Sequence, residues 1–193
     1  MIKKLILTLL ILATSSFALT KDEIKMQMST KIDNVLKILK DDQLKKEQKK
    51  DEIITMMDSL FDYTLMSRLS LGRVWKTLQN DQKSKFVELF TKKLKTSYVD
   101  KFELYTDQSV EVLGTDEPKS NRVILKTQVI GKDDKYSVDY KFYKKSEDNW
   151  LIYDVNLIGV SIIQTYRQQF AGFLKDKSFD ELIASLSINP NKK

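Results

Sequence analysis

The sequence predicts an α+β fold, in which N-terminal helices pack on a curved antiparallel sheet of four to five strands around a hydrophobic cavity. Two observations support this prediction. Apolar residues recur at helical spacing over about 21–105, change to strand alternation over about 107–158, and return to helical spacing over 159–187. The turns between the predicted strands are short, so neighbouring strands should run antiparallel.

The first helical segment covers residues 21–40. Its apolar stripe consists of Ile24, Met28, Ile32, Val35 and Leu39. Residues 41–51 are heavily charged but contain neither glycine nor proline, which favours a helix connection and a solvated helix face over a linker. The helical pattern resumes at Ile53 and leads into a broken segment. There Gly72 can end a short helix, and Trp75 can anchor the next element in the core.

The segment from Asp81 to Tyr105 gives the strongest helix prediction, and Asn80 or Asp81 can cap it. Its apolar stripe is unusually aromatic and includes Phe86, Phe90, Leu94, Tyr98 and Phe102. Core packing explains each ring singly, whereas the ring-lined face as a set also suits a ligand with long apolar tails. Both interpretations stay open at this point.

Four strands are predicted in the second half, separated by polar turns: Ser109–Leu113, Arg122–Ile130, Tyr136–Lys144 and Asn149–Leu157. In the third strand one face is wholly apolar or aromatic, and it carries Tyr136, Val138, Tyr140 and Phe142. This face must meet helices or a ligand. A cavity should therefore lie between it and the helices that contain Phe86–Phe102 and Val160–Phe170.

The stretch from Trp150 to Phe170 switches from strand to helix at Gly159. In the strand, alternation places Trp150 and Ile152 on one face and Leu151, Tyr153 and Val155 on the other. After the glycine, helical spacing relates Val160, Ile163, Tyr166 and Phe170. A strand that turns at a glycine into an amphipathic helix supplies a wall and a lid to one pocket. Ser178 and Glu181 then have capping-box spacing at the start of a terminal helix.

The N-terminal residues have the pattern of a signal peptide, with Lys3 and Lys4 before an apolar run from Leu5 to Ala13. That run is too short to cross a bilayer, although an uncleaved anchor is the competing interpretation. Small residues at the −3 and −1 positions predict cleavage after Ala18. We therefore expect an exported protein, with residues 19–193 forming a single domain.

Composition argues against most familiar enzyme classes. The chain has no histidine and no cysteine, which removes Ser-His-Asp and Cys-His catalysis and thiolate metal sites, and makes zinc improbable. The formal net charge of +6 comes mostly from lysine and fits a solvated surface better than nucleic-acid binding, since an exported protein does not normally meet nucleic acid. A weak preference for anionic membranes or acidic partners stays open. We predict no cofactor, no metal and no nucleic-acid partner.

Polar candidates are few. Arg167 can hold a phosphate at a pocket mouth, because a guanidinium matches phosphate oxygens as a fork; the alternative is a structural ion pair with Asp154 or Asp139. The same two aspartates suggest a rival function, in which a buried Asp acts as a general base with Tyr140 or Tyr153 as a donor. Without histidine or a cofactor motif, we predict no catalytic residues.

Several short pieces of the chain, taken in order, resemble the MlaC family of soluble periplasmic phospholipid carriers of Gram-negative bacteria. They are Phe61–Tyr63 (FDY), Leu71–Trp75 (LGRVW), the helical spacing of Phe86, Phe90, Leu94 and Tyr98, Val138–Tyr140 (VDY), Trp150 with Tyr153–Val155 (YDV), Gly159–Ser161 (GVS) and Tyr166–Phe170 (YRQQF). Each piece is weak alone, but their order and spacing are fairly specific. The likeness spans about residues 61–186.

This resemblance implies a cone-shaped fold like that of nuclear transport factors, with no enzymatic activity. It implies a monomer that carries a two-chain phospholipid between membranes and so maintains outer-membrane lipid asymmetry. The implied partners are an outer-membrane lipoprotein complex (MlaA) and an inner-membrane MCE-domain protein (MlaD) of an ABC transporter. A periplasmic adaptor that binds no lipid remains an alternative.

Together with the patterns above, the resemblance leads us to predict fourteen lipid-binding residues. They are Leu71, Trp75, Phe86, Phe90, Leu94, Tyr98, Val138, Tyr140, Phe142, Val160, Ile163, Tyr166, Arg167 and Phe170.

Overall fold

A computed structural model describes residues 19–102 and 107–187, and for residues 98–102 it describes the backbone alone. The predicted signal peptide lies outside these residues. The helices are α1 (Ile24–Lys40), α2 (Lys46–Asp58), α3 (Tyr63–Leu71), α4 (Asn80–Phe102), α5 (Ile162–Asp176) and α6 (Phe179–Ser187), with a short 3-10 helix at Val74–Thr77. The strands are β1 (Ser109–Lys119), β2 (Arg122–Ile130), β3 (Lys135–Ser146), β4 (Asn149–Leu157) and β5 (Val160–Ser161). Within the described residues, no helix is long and apolar enough to cross a membrane.

The five strands form one antiparallel meander, in which each strand pairs with the next along the chain. The predicted α+β class and the antiparallel sheet are therefore confirmed. Strand β1 continues past the predicted end at Leu113, because an irregularity at Gly114 lets it pair with β2 again. As an edge strand it also tolerates Pro118.

The start of α5 differs from the prediction. Val160 pairs with Leu157 in β5, so it does not belong to the helical stripe, and 60% of its surface is exposed. Helix α5 begins at Ile162, where the Ser161 hydroxyl accepts a hydrogen bond from Gln164 N at 3.0 Å. Serine is a strong N-cap because it satisfies one of the free amides of the first turn.

Two other helix starts test the capping predictions. At α6, the Ser178 amide donates to Glu181 Oε2 (2.8 Å) and the Glu181 amide donates to Ser178 Oγ (3.2 Å), which confirms the capping box. Helix α4 begins at Asn80 itself, so Asn80 and Asp81 lie inside the first turn instead of capping it. The predicted end of this helix at Tyr105 lies outside the described residues.

A bulge in β4 changes the face on which its last residues lie. Ile152 pairs with Phe142, whereas Tyr140 pairs with Val155. Phe142 and Tyr140 are two residues apart and share a face, so Ile152 and Val155 also share a face although they are three residues apart. The prediction that Val155 faces away from Ile152 is therefore wrong, because one extra residue in β4 resets the alternation.

Buried side chains form two separate clusters. The first joins α1 to the sheet and includes Ile24, Met28, Leu125, Phe142 and Ile152. The second joins α3, α4, α5 and α6, and its buried members are Met66, Leu71, Leu78, Phe86, Phe90, Leu94, Ile162, Ile163, Phe170 and Leu182. Phe61 and Val155 pack against both clusters. The space between the clusters is where the described structure is hollow.

Candidate ligand cavity

A cavity of about 460 Å³ lies between the helices and the sheet. Its helical side comes mainly from α1 and α2, through Ile32, Val35, Leu36, Leu39, Ile53, Ile54 and Met57. Its sheet side comes from β1 to β4, through Val110, Thr127, Val129, Tyr136, Val138, Tyr140, Val155 and Leu157. Phe61, Tyr63, Met66, Leu94, Lys95, Gln108 and Ile162 complete the lining. The volume lies within the usual range of ligand pockets.

The polar groups of the sheet side are few and differ in their bonding. The Thr127 hydroxyl donates to the Val138 carbonyl at 2.6 Å, so this donor is already satisfied. Tyr140 lies in the wall, and burial raises the pKa of its hydroxyl to about 12. The phenol therefore stays protonated at physiological pH. Tyr140 can donate one hydrogen bond to a ligand in an otherwise apolar surface.

One edge of the cavity carries charge. Lys95 on α4 lies in the lining, and its Nζ is 2.5 Å from Asp58 Oδ1 at the end of α2 and 5.1 Å from the centre of the Tyr63 ring. Burial raises the pKa of Tyr63 well above its ordinary value, and the charge of Asp58 and a hydrogen bond to it add to the effect. Asp58 thus interacts with the ammonium of Lys95 and the hydroxyl of Tyr63, two residues of the cavity wall.

Three of the fourteen predicted binding residues lie in this wall: Leu94, Val138 and Tyr140. Phe142 shares the inner face of β3 but is fully buried in the first cluster. Leu71 and Ile163 are buried in the second cluster, and Trp75 packs against it from the 3-10 helix. The side chain of Tyr98 lies outside the described residues.

The predicted ring-lined face of α4 is filled by other rings of the protein. Phe90 lies 4.9 Å from Tyr166 and 5.4 Å from Phe170, and Phe86 lies 5.6 Å from Phe170 and 6.2 Å from Phe179, between ring centres. These edge-on and tilted contacts are typical of a packed aromatic core. Among the described members of this apolar stripe, Leu94, about 12 Å further along the helix from Phe86, reaches the cavity.

Arg167 is exposed, does not line the cavity, and lies over Gly72 at the end of α3. A Cβ atom built on Gly72 would be 3.0 Å from its Nε atom. Within the described part of the chain, no ion pair of Arg167 with Asp154 or Asp139 is formed. Asp154 instead accepts from Lys141 Nζ at 3.0 Å, Ser161 Oγ at 2.7 Å and the Ile163 amide at 3.2 Å. This buried carboxylate joins β4 to the start of α5.

Sequence reasoning missed the contribution of α1 and α2. It identified the apolar stripe of α1, including Ile32, Val35 and Leu39, but gave it no part in the site. An apolar stripe that faces a hollow has the same pattern as one that faces packed side chains. No local signal would have separated the two cases.

The arrangement can enclose an apolar ligand and leave its polar end at the charged edge. Within the described residues, no group of three or more acidic, histidine or cysteine side chains is placed to bind a metal ion. The fold and cavity together are those of an α+β protein built around an apolar chamber. Such a chamber selects mainly by size and hydrophobicity.

The family model described as "MlaC protein" matches residues 29–187, and the chain belongs to that family. The match begins before Phe61, where the first of the family-like motifs lies, and includes most of α1. Among solved structures, the chain is similar to a phospholipid-binding protein from Ralstonia solanacearum, solved in complex with a phospholipid. The two are 21% identical with a TM-score of 0.71, over 84% of this chain and 93% of that one.

Proposed function

We propose that this protein is a periplasmic phospholipid carrier that binds a two-chain lipid and exchanges it with membrane complexes. The observation that carries the proposal is the cavity of about 460 Å³ between the sheet and helices α1 and α2. Its wall consists largely of branched aliphatic and aromatic side chains. Such a wall shelters acyl tails and makes few demands on the headgroup.

The free energy of tail burial explains why a carrier is needed. Two acyl chains contain roughly 30 methylenes, and each contributes about 0.8 kcal/mol when it leaves water. A free lipid monomer therefore crosses an aqueous space poorly. The competitor for the lipid is the bilayer, which shelters the same tails, so binding need only be comparable with the membrane. Exchange then depends on opening the cavity at a partner.

Membership of the MlaC family and the phospholipid in the related Ralstonia structure support this proposal. A binding role is also favoured over an enzymatic one by the bonding of Asp154. Its carboxylate accepts three hydrogen bonds that join β4 to α5, which is the bonding of a structural group.

The cellular role is the further part of the proposal. The N-terminal pattern supports export to the periplasm with cleavage after Ala18. The family supports exchange with the outer-membrane MlaA complex and the inner-membrane MlaD protein of an ABC transporter. In this role the protein maintains the lipid asymmetry of the outer membrane.

Native mass spectrometry tests the binding proposal. Protein purified from the periplasm should carry an added mass equal to one two-chain phospholipid, and delipidated protein should regain it from vesicles. Protein that is free of lipid, and that takes none from vesicles while binding its membrane partners normally, would show the adaptor function instead.

A further inference from the structure

The charged edge of the cavity is formed by one lysine and the aspartate that pairs with it. Among the described residues of the lining, Lys95 is the one that carries a charge. Its partner Asp58 does not line the cavity. The side chains of Lys95 and Asp58 keep 27% and 42% of their surface exposed. The pair therefore lies where the cavity wall reaches the protein surface.

A bound phospholipid must place its headgroup at such an edge. The tails gain from the apolar wall, whereas a phosphate buried without partners costs several kcal/mol. An ammonium group beside the phosphate supplies charge-assisted hydrogen bonds. The Lys95 ammonium has three N–H donors, and its nitrogen forms an ion pair with Asp58 Oδ1 at 2.5 Å. Because Lys95 also lines the cavity, its ammonium can approach an oxyanion bound there.

We propose that Lys95 and Asp58 form a headgroup site, in which Lys95 binds the lipid phosphate and Asp58 favours headgroups that carry an amine. This inference rests on the proposed function. The carboxylate beside the phosphate position attracts the ammonium of an ethanolamine headgroup, whereas the uncharged glycerol of phosphatidylglycerol offers it no cation. The site should therefore prefer a zwitterionic lipid such as phosphatidylethanolamine to an anionic lipid such as phosphatidylglycerol.

The competing explanation is that the pair only ties α2 to α4. A charge swap separates the two roles, because Asp58→Lys with Lys95→Asp keeps an ion pair between the helices but places a carboxylate in the wall. A purely structural pair predicts unchanged lipid binding in the swap. A headgroup site predicts that the swap binds less phospholipid, because its wall repels the phosphate.

The experiment uses vesicles with equal amounts of phosphatidylethanolamine and phosphatidylglycerol of identical acyl chains. Delipidated protein is incubated with them and re-isolated, and its lipid is identified by native mass spectrometry. We expect wild type to enrich the ethanolamine lipid about threefold, the range of a partly exposed ion pair. Asp58→Asn should lose this enrichment, and Lys92→Met, at an exposed lysine of the same helix, should keep it.

Circular dichroism shows whether the swap folds. If it does not, Lys95→Arg and Lys95→Met replace it, since arginine retains the cation and methionine retains only the apolar stem. Two results together would overturn the headgroup site and leave the carrier function standing. In the first, wild-type protein binds the two lipids in the same ratio as the vesicles contain them. In the second, the folded swap variant binds as much lipid as wild type. A wild type that binds neither lipid would overturn the carrier function itself.

Discussion

The guanidinium of Arg167 lies directly over Gly72, so that a Cβ atom at position 72 would be 3.0 Å from Arg167 Nε. Gly72 has φ 57° and ψ −120° at the end of α3, a conformation that L-residues rarely adopt. Helices α3 and α5 thus meet through a glycine for two independent reasons, one of backbone conformation and one of space.

Gly72→Ala should therefore lower the free energy of unfolding by about 1–3 kcal/mol. Urea unfolding measures the change. Gly172→Ala is the matched control, because Gly172 lies within α5 with nothing within 4 Å of a built Cβ. There alanine should stabilise the protein by about 0.5–1 kcal/mol. Equal effects at both positions would contradict the role of Gly72.

In the β4–β5 turn, a substitution to glycine should raise the free energy of unfolding. Ile158 has φ 51°, which is costly for a β-branched residue, and its side chain is 70% exposed. Ile158→Gly should raise the free energy of unfolding by about 1 kcal/mol, because it relieves strain and loses little packing. Gly159→Ala, at φ 77° with open space around it, should lower it. A destabilised Ile158→Gly protein would show that the exposed isoleucine makes contacts that outweigh its strain.

Two valines on neighbouring strands test whether the cavity holds ligand. Val138 lines the cavity, whereas Val123 is buried in the packed first cluster. Val138→Phe should reduce the amount of bound lipid with little loss of stability, because the added ring enters empty space. Val123→Phe should cost about 1–3 kcal/mol through overpacking and leave the lipid of the folded fraction unchanged. Native mass spectrometry and thermal unfolding give the two readouts.

Asp62 predicts a pH dependence. Burial acts to raise the pKa of this carboxyl, but hydrogen bonds from Tyr143 Oη (2.5 Å) and the Leu65 amide (2.9 Å), with Lys145 Nζ at 3.3 Å, outweigh it and lower the pKa. A lowered pKa in the folded state contributes stability at neutral pH, and that contribution disappears as pH falls through the folded value.

Asp62→Asn should accordingly be less stable than wild type at pH 7. The difference should shrink once the pH falls below about 4, the ordinary value for Asp. Urea unfolding from pH 7 to pH 3 measures it. Asp148→Asn, at an exposed turn, is the control and should follow the wild-type curve. A difference that stays constant with pH would place the effect in packing instead of charge.

The sequence predicted the second half of the fold well because its signals are local. Strands β2 and β4 have the predicted bounds, since alternation and polar turns mark them directly. The bulge in β4 was not predicted. One extra residue leaves both flanking segments with normal alternation, so the bulge is visible only in the pairing with β3.

The site was harder to predict than the fold. Phe86 and Phe90 have the pattern of a ligand wall, but α5 and α6 cover them with Tyr166, Phe170 and Phe179. Whether a stripe is covered by protein or left open depends on contacts between residues far apart in the chain. The pattern of α4 contains no information about that choice.

The hollow lies at the boundary between the two cores. Ile32 of the first and Met66 and Leu94 of the second form part of its wall, and Phe61 and Val155 are in contact with both. Most of the buried members of each cluster, such as Phe142 in the first and Phe86 in the second, do not face the chamber. A guest in the chamber would therefore touch the edges of both cores and leave those interiors packed. If the chamber carries lipid as proposed, uptake and release can proceed without unfolding either interior.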